Sequence, residues 1–239
     1  MKVLGLQHAE VEHPGYFRKL LEEDGHSYSC VDLNEGQLLP ELDNFDALWV
    51  LGGPMDVWEE KKFPWLSVEK NFIKDAILKK GIPYLGLCLG HQLMAAALGG
   101  EVLKAKNPEI GVMDVHLTEK GASGVLFDGI SETFKCLQWH SSEVTVVPEG
   151  TEVLASSEKC YVQAMKWGTR AYSFQFHLEV EDNTIESWSK IYEYKSALEK
   201  VKGIGGIKTL QQECTKEMPN LNRDAERVYM NWMQTSARV

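Results

Sequence analysis

The apolar residues of the first hundred positions fall into short continuous runs separated by stretches of helical spacing. Val3 to Leu6 reads as a strand. A helix follows from His13-Pro14 through Phe17, Leu20 and Leu21 towards Asp24-Gly25, with Pro14 at the first helical position, where proline is tolerated. Tyr28 to Leu33 and Ala47 to Leu51 are further strands, the second wholly apolar and closed by Gly52-Gly53-Pro54. Trp65 to Lys80 places Leu66, Phe72, Ile73, Ala76 and Ile77 on the inner side of a helix that stops at Gly81. Ile82 to Leu87 is another apolar run, and Leu89 to Leu98 is a helix of small residues ended by Gly99-Gly100. Strands that do not alternate, spaced by helices, are what a parallel sheet covered on both faces requires. The expected fold is therefore α/β, with a mostly parallel central sheet flanked by helices.

From Glu101 to about Phe176 the pattern changes to short alternating segments: Val112 to Leu117, Lys135 to Gln138, Val144 to Val147, Val153 to Ala155, Val162 to Trp167 and Ala171 to Phe176. Turn residues separate them, so hairpins are expected, extending the sheet or adding a second one. Helical spacing returns at Thr184 with Ile185, Trp188, Ile191 and Tyr192, and Gly203-Ile204-Gly205-Gly206 breaks it as a linker. Two more helices are expected, Lys208 to Glu217 and Leu221 to Gln234; Leu221, Ala225, Val228 and Trp232 form a stripe on the last. That stripe suits packing on the chain's own domain or on a second copy in a homodimer. The expected division is a catalytic domain over 1–194 and a C-terminal helical extension over 195–239.

Charge narrows the function classes. Lys and Arg number 25 against 35 Asp and Glu, a formal net charge of -10, where a nucleic-acid binder shows a basic face and a membrane-surface protein a basic patch. No apolar run is long enough to span a bilayer, and the first residues lack the apolar core of a signal peptide. The five cysteines, Cys30, Cys88, Cys136, Cys160 and Cys214, are odd in number, widely spaced and free of any C-x-x-C. They fit neither a disulfide framework nor a zinc site, and a reducing cytoplasm is the expected location. No metal or cofactor is expected.

Four of these cysteines read as inert, those in strand-like runs as small buried hydrophobes. Cys88 differs. It lies where an apolar strand meets a helix, inside Gly86-Leu87-Cys88-Leu89-Gly90, the pattern of a nucleophile elbow with cysteine in place of serine. Glycine two residues to either side removes side chains that a sharp turn would crush. The following helix N-terminus supplies free N–H groups and a positive dipole end. A thiol nucleophile needs a base, and the base an orienting group. His177 closes the run Tyr172 to Phe176, and Glu179 lies two residues on, facing the same way in an extended chain. Cys88, His177 and Glu179 form a candidate triad. His91 points elsewhere on the elbow helix; His8, His13 and His26 read as loop or helix-end residues.

With these residues assembled, the chain resembles the class I (triad) glutamine amidotransferases. Their G-x-C-x-G-x-Q elbow is met by Gly86, Cys88, Gly90 and Gln92, their Q-F-H-P-E by Gln175-Phe176-His177-Leu178-Glu179, and their G-G-P loop by Gly52-Gly53-Pro54. The likeness spans about residues 1–190 and is greatest to stand-alone proteins similar to the amidotransferase domain of GMP synthase. It implies that Cys88 attacks the γ-carboxamide carbon of glutamine or another γ-glutamyl compound to form a thioester. His177 would shuttle the proton and Glu179 would orient it. The backbone N–H groups of Gly53 and Leu89 would hold the oxyanion; Gly52, Gln92, Trp139, Ser141 and Ser142 would contact substrate. Two positions depart from the family: Leu178 replaces proline, and Ser141-Ser142 stand where the GMP synthase type has Gly-Asp. The chain has no P-loop and no S-G-G-x-D-S loop, so an amidotransferase would deliver ammonia to a separate synthetase subunit. The alternatives are a free-standing γ-glutamyl hydrolase or peptidase and, third, a binding module that has kept the fold.

Overall fold

A computed structural model describes residues 1–236. Among them, nine strands form a single sheet in the order β2-β1-β3-β4-β9-β8-β7-β5-β6. The elements run β1 (Lys2–Gln7), α1 (Gly15–Glu23), β2 (Ser27–Asp32), β3 (Ala47–Val50), α2 (Trp65–Lys74), β4 (Tyr84–Leu87), α3 (Leu89–Ala97), β5 (Glu101–Leu117), α4 (Glu119–Ala122), β6 (Thr133–Val146), β7 (Thr151–Ser156), β8 (Ala164–Trp167), β9 (Ala171–Phe174), α5 (Thr184–Trp188), α6 (Tyr192–Lys202) and α7 (Gly206–Ser236). From β2 to β9 every neighbouring pair is parallel. From β9 to β6 every pair is antiparallel. The alternating segments of the second half thus extend the one sheet.

All four residues of β3 and of β4 are buried, as continuous apolar strands predict. Ala47 and Trp49 face one apolar layer with Phe17, Phe174 and Trp232. Leu48 and Val50 face the other with Leu66, Ile73, Leu93 and Met94. Helices therefore cover both faces, and the carboxyl ends of β1, β3, β4 and β9 meet along one edge, where open α/β sheets place their sites.

Three expectations change. The 208–217 and 221–234 helices are one, α7, which runs through Pro219. Proline removes one intrahelical bond, but a single face carrying Leu210, Cys214, Leu221, Ala225, Val228 and Trp232 is buried along the whole length, and this packing keeps the axis continuous. That face lies on the chain's own sheet. The segments around Val112 and Lys135 belong to longer strands, β5 and β6, whose register shifts between Lys104 and Glu109. Cys30, expected to be buried, is exposed, because β2 is the edge strand.

Candidate active site

Cys88 is the single non-glycine residue with positive φ among those described, at φ 51 and ψ -101. It caps α3, and its N–H donates to the Phe174 carbonyl at 2.8 Å. The glycines explain how the turn fits. A Cβ on Gly90 would lie 2.0 Å from the Val50 carbonyl oxygen, and one on Gly86 would lie 2.7 Å from the Gly90 backbone. The Gly90 N–H donates to Leu51 at 3.1 Å, so the elbow is fastened to the ends of both β3 and β9.

His177 follows β9 and is locked to β6: its N–H donates to the Leu137 carbonyl at 2.8 Å, and Leu137 returns a bond at 3.1 Å. Its side chain neighbours the Cys88 thiol closely enough for the thiol to raise its pKa. On the other side, Nδ1 lies 2.6 Å from Glu179 Oε1. The Leu178 N–H donates to Glu179 Oε2 at 3.0 Å, a bond that proline at this position could not make. The departure at 178 therefore adds a constraint on the carboxylate. Trp188 meets the His177 ring edge-on at 4.6 Å. Burial pushes the His177 pKa down, but the hydrogen-bonded Glu179 carboxylate and the neighbouring Cys88 reverse this and hold it well above the ordinary histidine value.

A cavity of about 540 Å³ opens beside Cys88, and Gly53, Leu89, Gln92, Trp139, Ser141 and Ser142 all line it. The N–H groups of Gly53 and Leu89 have no protein partner among the described residues. Gln92 donates from Nε2 to Gln175 Oε1 at 2.9 Å and to the Ser142 carbonyl at 3.1 Å, so its amide nitrogen braces the wall. Gly52 is not on that wall; its carbonyl turns away and accepts from His8 Nδ1 at 2.8 Å. Ser142 Oγ donates to Asp56 at 2.6 Å, and Asp56 also pairs with Lys104 at 2.7 Å. Tyr192, Tyr194, Ala197 and Lys200 of α6 form the opposite wall.

The class-I glutamine amidotransferase family model matches residues 18–187. The chain belongs to that family. It is 36% identical over 153 residues to a glutamine-hydrolysing GMP synthase subunit of Sulfolobus acidocaldarius, covering 64% of this chain and 77% of the relative. A glutamine amidotransferase-like protein of Salmonella typhimurium is 32% identical over 190 residues, covering 78% and 79%. The crystal structure of a glutamine amidotransferase from Thermotoga maritima superposes with a TM-score of 0.86 at 31% identity and covers 98% of each chain. One from Methylobacillus flagellatus gives 0.85 at 25%, covering 100% of this chain and 96% of that one. The family model stops before α6, but these full-length matches include the helical extension.

Several residues around this amidotransferase site carried no signal in the sequence. His8 is fully buried, with Nε2 2.8 Å from Glu69 Oε1. Glu12 accepts from the Tyr194 hydroxyl, which ties α6 to the centre of the site; burial raises the Glu12 pKa. Gln175, which the sequence places in the second motif without giving it a role, has Nε2 3.7 Å from Cys88 Sγ. Glu109, His140 and Cys160 also converge, far apart in sequence, with potential ligand atoms within 4.8 Å of one another. Hydrogen bonds already satisfy that carboxylate: His140 at 3.2 Å, Gln163 at 2.7 Å and Ser157 at 2.9 Å. Spacing along the chain cannot reveal such groups, because each member comes from a different strand or loop.

The buried histidines predict how stability varies with pH. His8 is raised above 6.5: burial opposes this, but Glu69 outweighs it. His177 is raised further. His91 is lowered to about 3 by burial and by His140. A raised group stabilises fully below the unfolded value near 6.5, and this is lost as pH climbs through its folded value. A lowered histidine does the reverse, losing its contribution as pH falls from 6.5 towards 3. At about 1.4 kcal/mol per pKa unit, the acid-side loss from His91 is on the order of 5 kcal/mol. Denaturant midpoints should therefore peak near pH 6.5, and His91→Gln should flatten the acid side; a midpoint rising steadily from pH 5 to pH 9 would contradict this.

Proposed function

We propose that this amidotransferase cleaves a γ-glutamyl amide bond through a thioester on Cys88. The reading rests on one observation above all: a backbone-strained cysteine at a helix N-terminus, beside a histidine that a buried carboxylate orients. Attack requires the thiolate, with its proton on His177. Sγ bonds to the γ-carbonyl carbon, and the carbonyl oxygen takes the negative charge facing the N–H groups of Gly53 and Leu89, each worth about 2.7–4 kcal/mol in such sites. As the C–N bond breaks, the His177 imidazolium protonates the leaving nitrogen, and ammonia or an amine departs. Water then attacks the thioester, giving its proton to His177, and the acid leaves as Cys88 is regenerated. Asp56, with Ser142 beside it, offers a carboxylate for the substrate α-ammonium. This would replace the acid that the family's Gly-Asp pair carries.

With glutamine as substrate the product is ammonia, and the likeness to the GMP synthase subunit of Sulfolobus acidocaldarius supports delivery to a separate synthetase. The cavity supports a second reading. At about 540 Å³ it falls within the range of sites for drug-sized ligands, larger than glutamine alone needs, and α6 extends its wall. A free-standing hydrolase acting on γ-glutamyl amides or peptides would use the same triad. Glutamate release from glutamine and from a panel of γ-glutamyl amides and peptides separates the two. Turnover of peptides with negligible glutamine hydrolysis rejects the amidotransferase reading; the converse rejects the peptidase. Failure of every substrate, with Cys88 unreactive to 6-diazo-5-oxonorleucine, rejects both.

A further inference from the structure

We infer that His8, held by Glu69, is a positioning residue that fixes the Gly52–Gly53 peptide with its N–H directed at the reacting carbonyl oxygen. This rests on the reading of Cys88 as nucleophile given above. The Gly52 carbonyl and the Gly53 N–H belong to one peptide unit. No peptide among the described residues is cis, so the two groups point in opposite directions. The group that anchors the carbonyl therefore aims the N–H. His8 Nδ1 lies 2.8 Å from the Gly52 oxygen. A carbonyl only accepts, so Nδ1 carries the hydrogen. The other ring nitrogen lies 2.8 Å from Glu69 on α2, and Trp65 stacks on the ring at 5.4 Å.

The sequence explains why such an anchor is needed. Side chains at 52 and 53 would displace their neighbours: a Cβ on Gly52 would lie 2.2 Å from the Glu12 carboxylate, and one on Gly53 2.7 Å from the Leu89 and Met55 side chains. Two adjacent glycines, however, are the freest backbone a chain can have, and a donor that wanders stabilises no oxyanion. A buried His–Glu pair is a costly way to fill space, since apolar residues of the same volume pack as well without the desolvation penalty. What only the imidazole supplies here is a rigid N–H against one carbonyl.

Two variants isolate that bond. In His8→Gln the amide reaches the Nε2 position, keeping Glu69 partnered but losing Gly52; in His8→Asn it reaches the Nδ1 position and keeps Gly52. For L-glutamine, or the γ-glutamyl amide that wild type turns over best, His8→Gln should lose about 10²-fold in kcat, the scale of a misaligned reacting group, with KM little changed. Inhibition by glutamate γ-semialdehyde, whose thiohemiacetal with Cys88 places an oxygen in the same hole, should weaken by a similar factor. Alkylation of Cys88 by iodoacetamide, which forms no oxyanion, should keep its rate. His8→Asn should recover most of the loss. Equal losses in both variants, or a parallel fall in alkylation, would overturn the inference. If His8→Gln does not fold, Glu69→Ala, which frees the ring to turn, should show the same kcat-selective loss, and an unchanged kcat there overturns it. A wild type inert to every γ-glutamyl compound and to the aldehyde would instead reject the proposed function, and this inference with it.

Discussion

Replacing Cys88 with alanine is expected to abolish γ-glutamyl turnover, and replacing it with glycine to do the same while giving the more stable of the two proteins. Loss of a hydrolase nucleophile lowers kcat by roughly 10⁴- to 10⁶-fold, because only the oxyanion donors and binding remain. The stability order is the more searching half. Glycine in place of alanine ordinarily destabilises by about 0.5–1 kcal/mol through backbone entropy. At position 88, with φ 51 and ψ -101, any Cβ is strained, and such outliers cost about 1–3 kcal/mol. Glycine removes the strain and alanine keeps it, so the usual order reverses. Glutamate release and denaturant midpoints on the two variants decide this. Near-normal turnover in Cys88→Ala would remove the site assignment; a glycine variant clearly weaker than the alanine one would show that the elbow stores no strain.

The same residue shows how far a sequence reading reaches. Gly86, Cys88, Gly90 and the strand-to-helix change around them are local, so the elbow is legible from spacing alone. His177 and Glu179 are also local to each other, and their 2.6 Å contact follows from a two-residue interval. What spacing cannot supply is the shell around them. His8 meets Glu69 across 61 positions, Glu12 meets Tyr194 across 182, and Ser142 meets Asp56 across 86. Each contact is created by the tertiary fold, which puts β1 beside β3 and brings α6 back over the site. Pro219 misleads for the opposite reason: its local preference is to break a helix, and a long buried face overrides it. Gly52 is a subtler case. The motif identifies the loop, but only its hydrogen bond to His8 shows that one glycine faces the cavity and the other the protein.

The extension should be indispensable to folding, with Trp232 its principal anchor. Trp232 is 1% exposed, meets Trp49 of β3 edge-on at 5.6 Å and donates from its indole N–H to the Tyr84 carbonyl at 3.3 Å. Truncating a buried tryptophan to alanine costs about 3–5 kcal/mol, against a typical total of about 5–15 kcal/mol for a whole protein. Trp232→Ala is therefore expected to lose roughly a fifth or more of the stability, measured by denaturant unfolding, whereas Met230→Ala, on the exposed side of the same helix, should change it little. A chain ended at residue 194 goes further: it strips α7 from the sheet face that holds Phe17, Trp49 and Phe174, and most of α6 from the cavity wall. We expect it to show no cooperative unfolding transition. If it instead folds and turns over a γ-glutamyl substrate, residues 195–239 are an accessory, and the packing of Trp232 on Trp49 is worth far less than its burial implies.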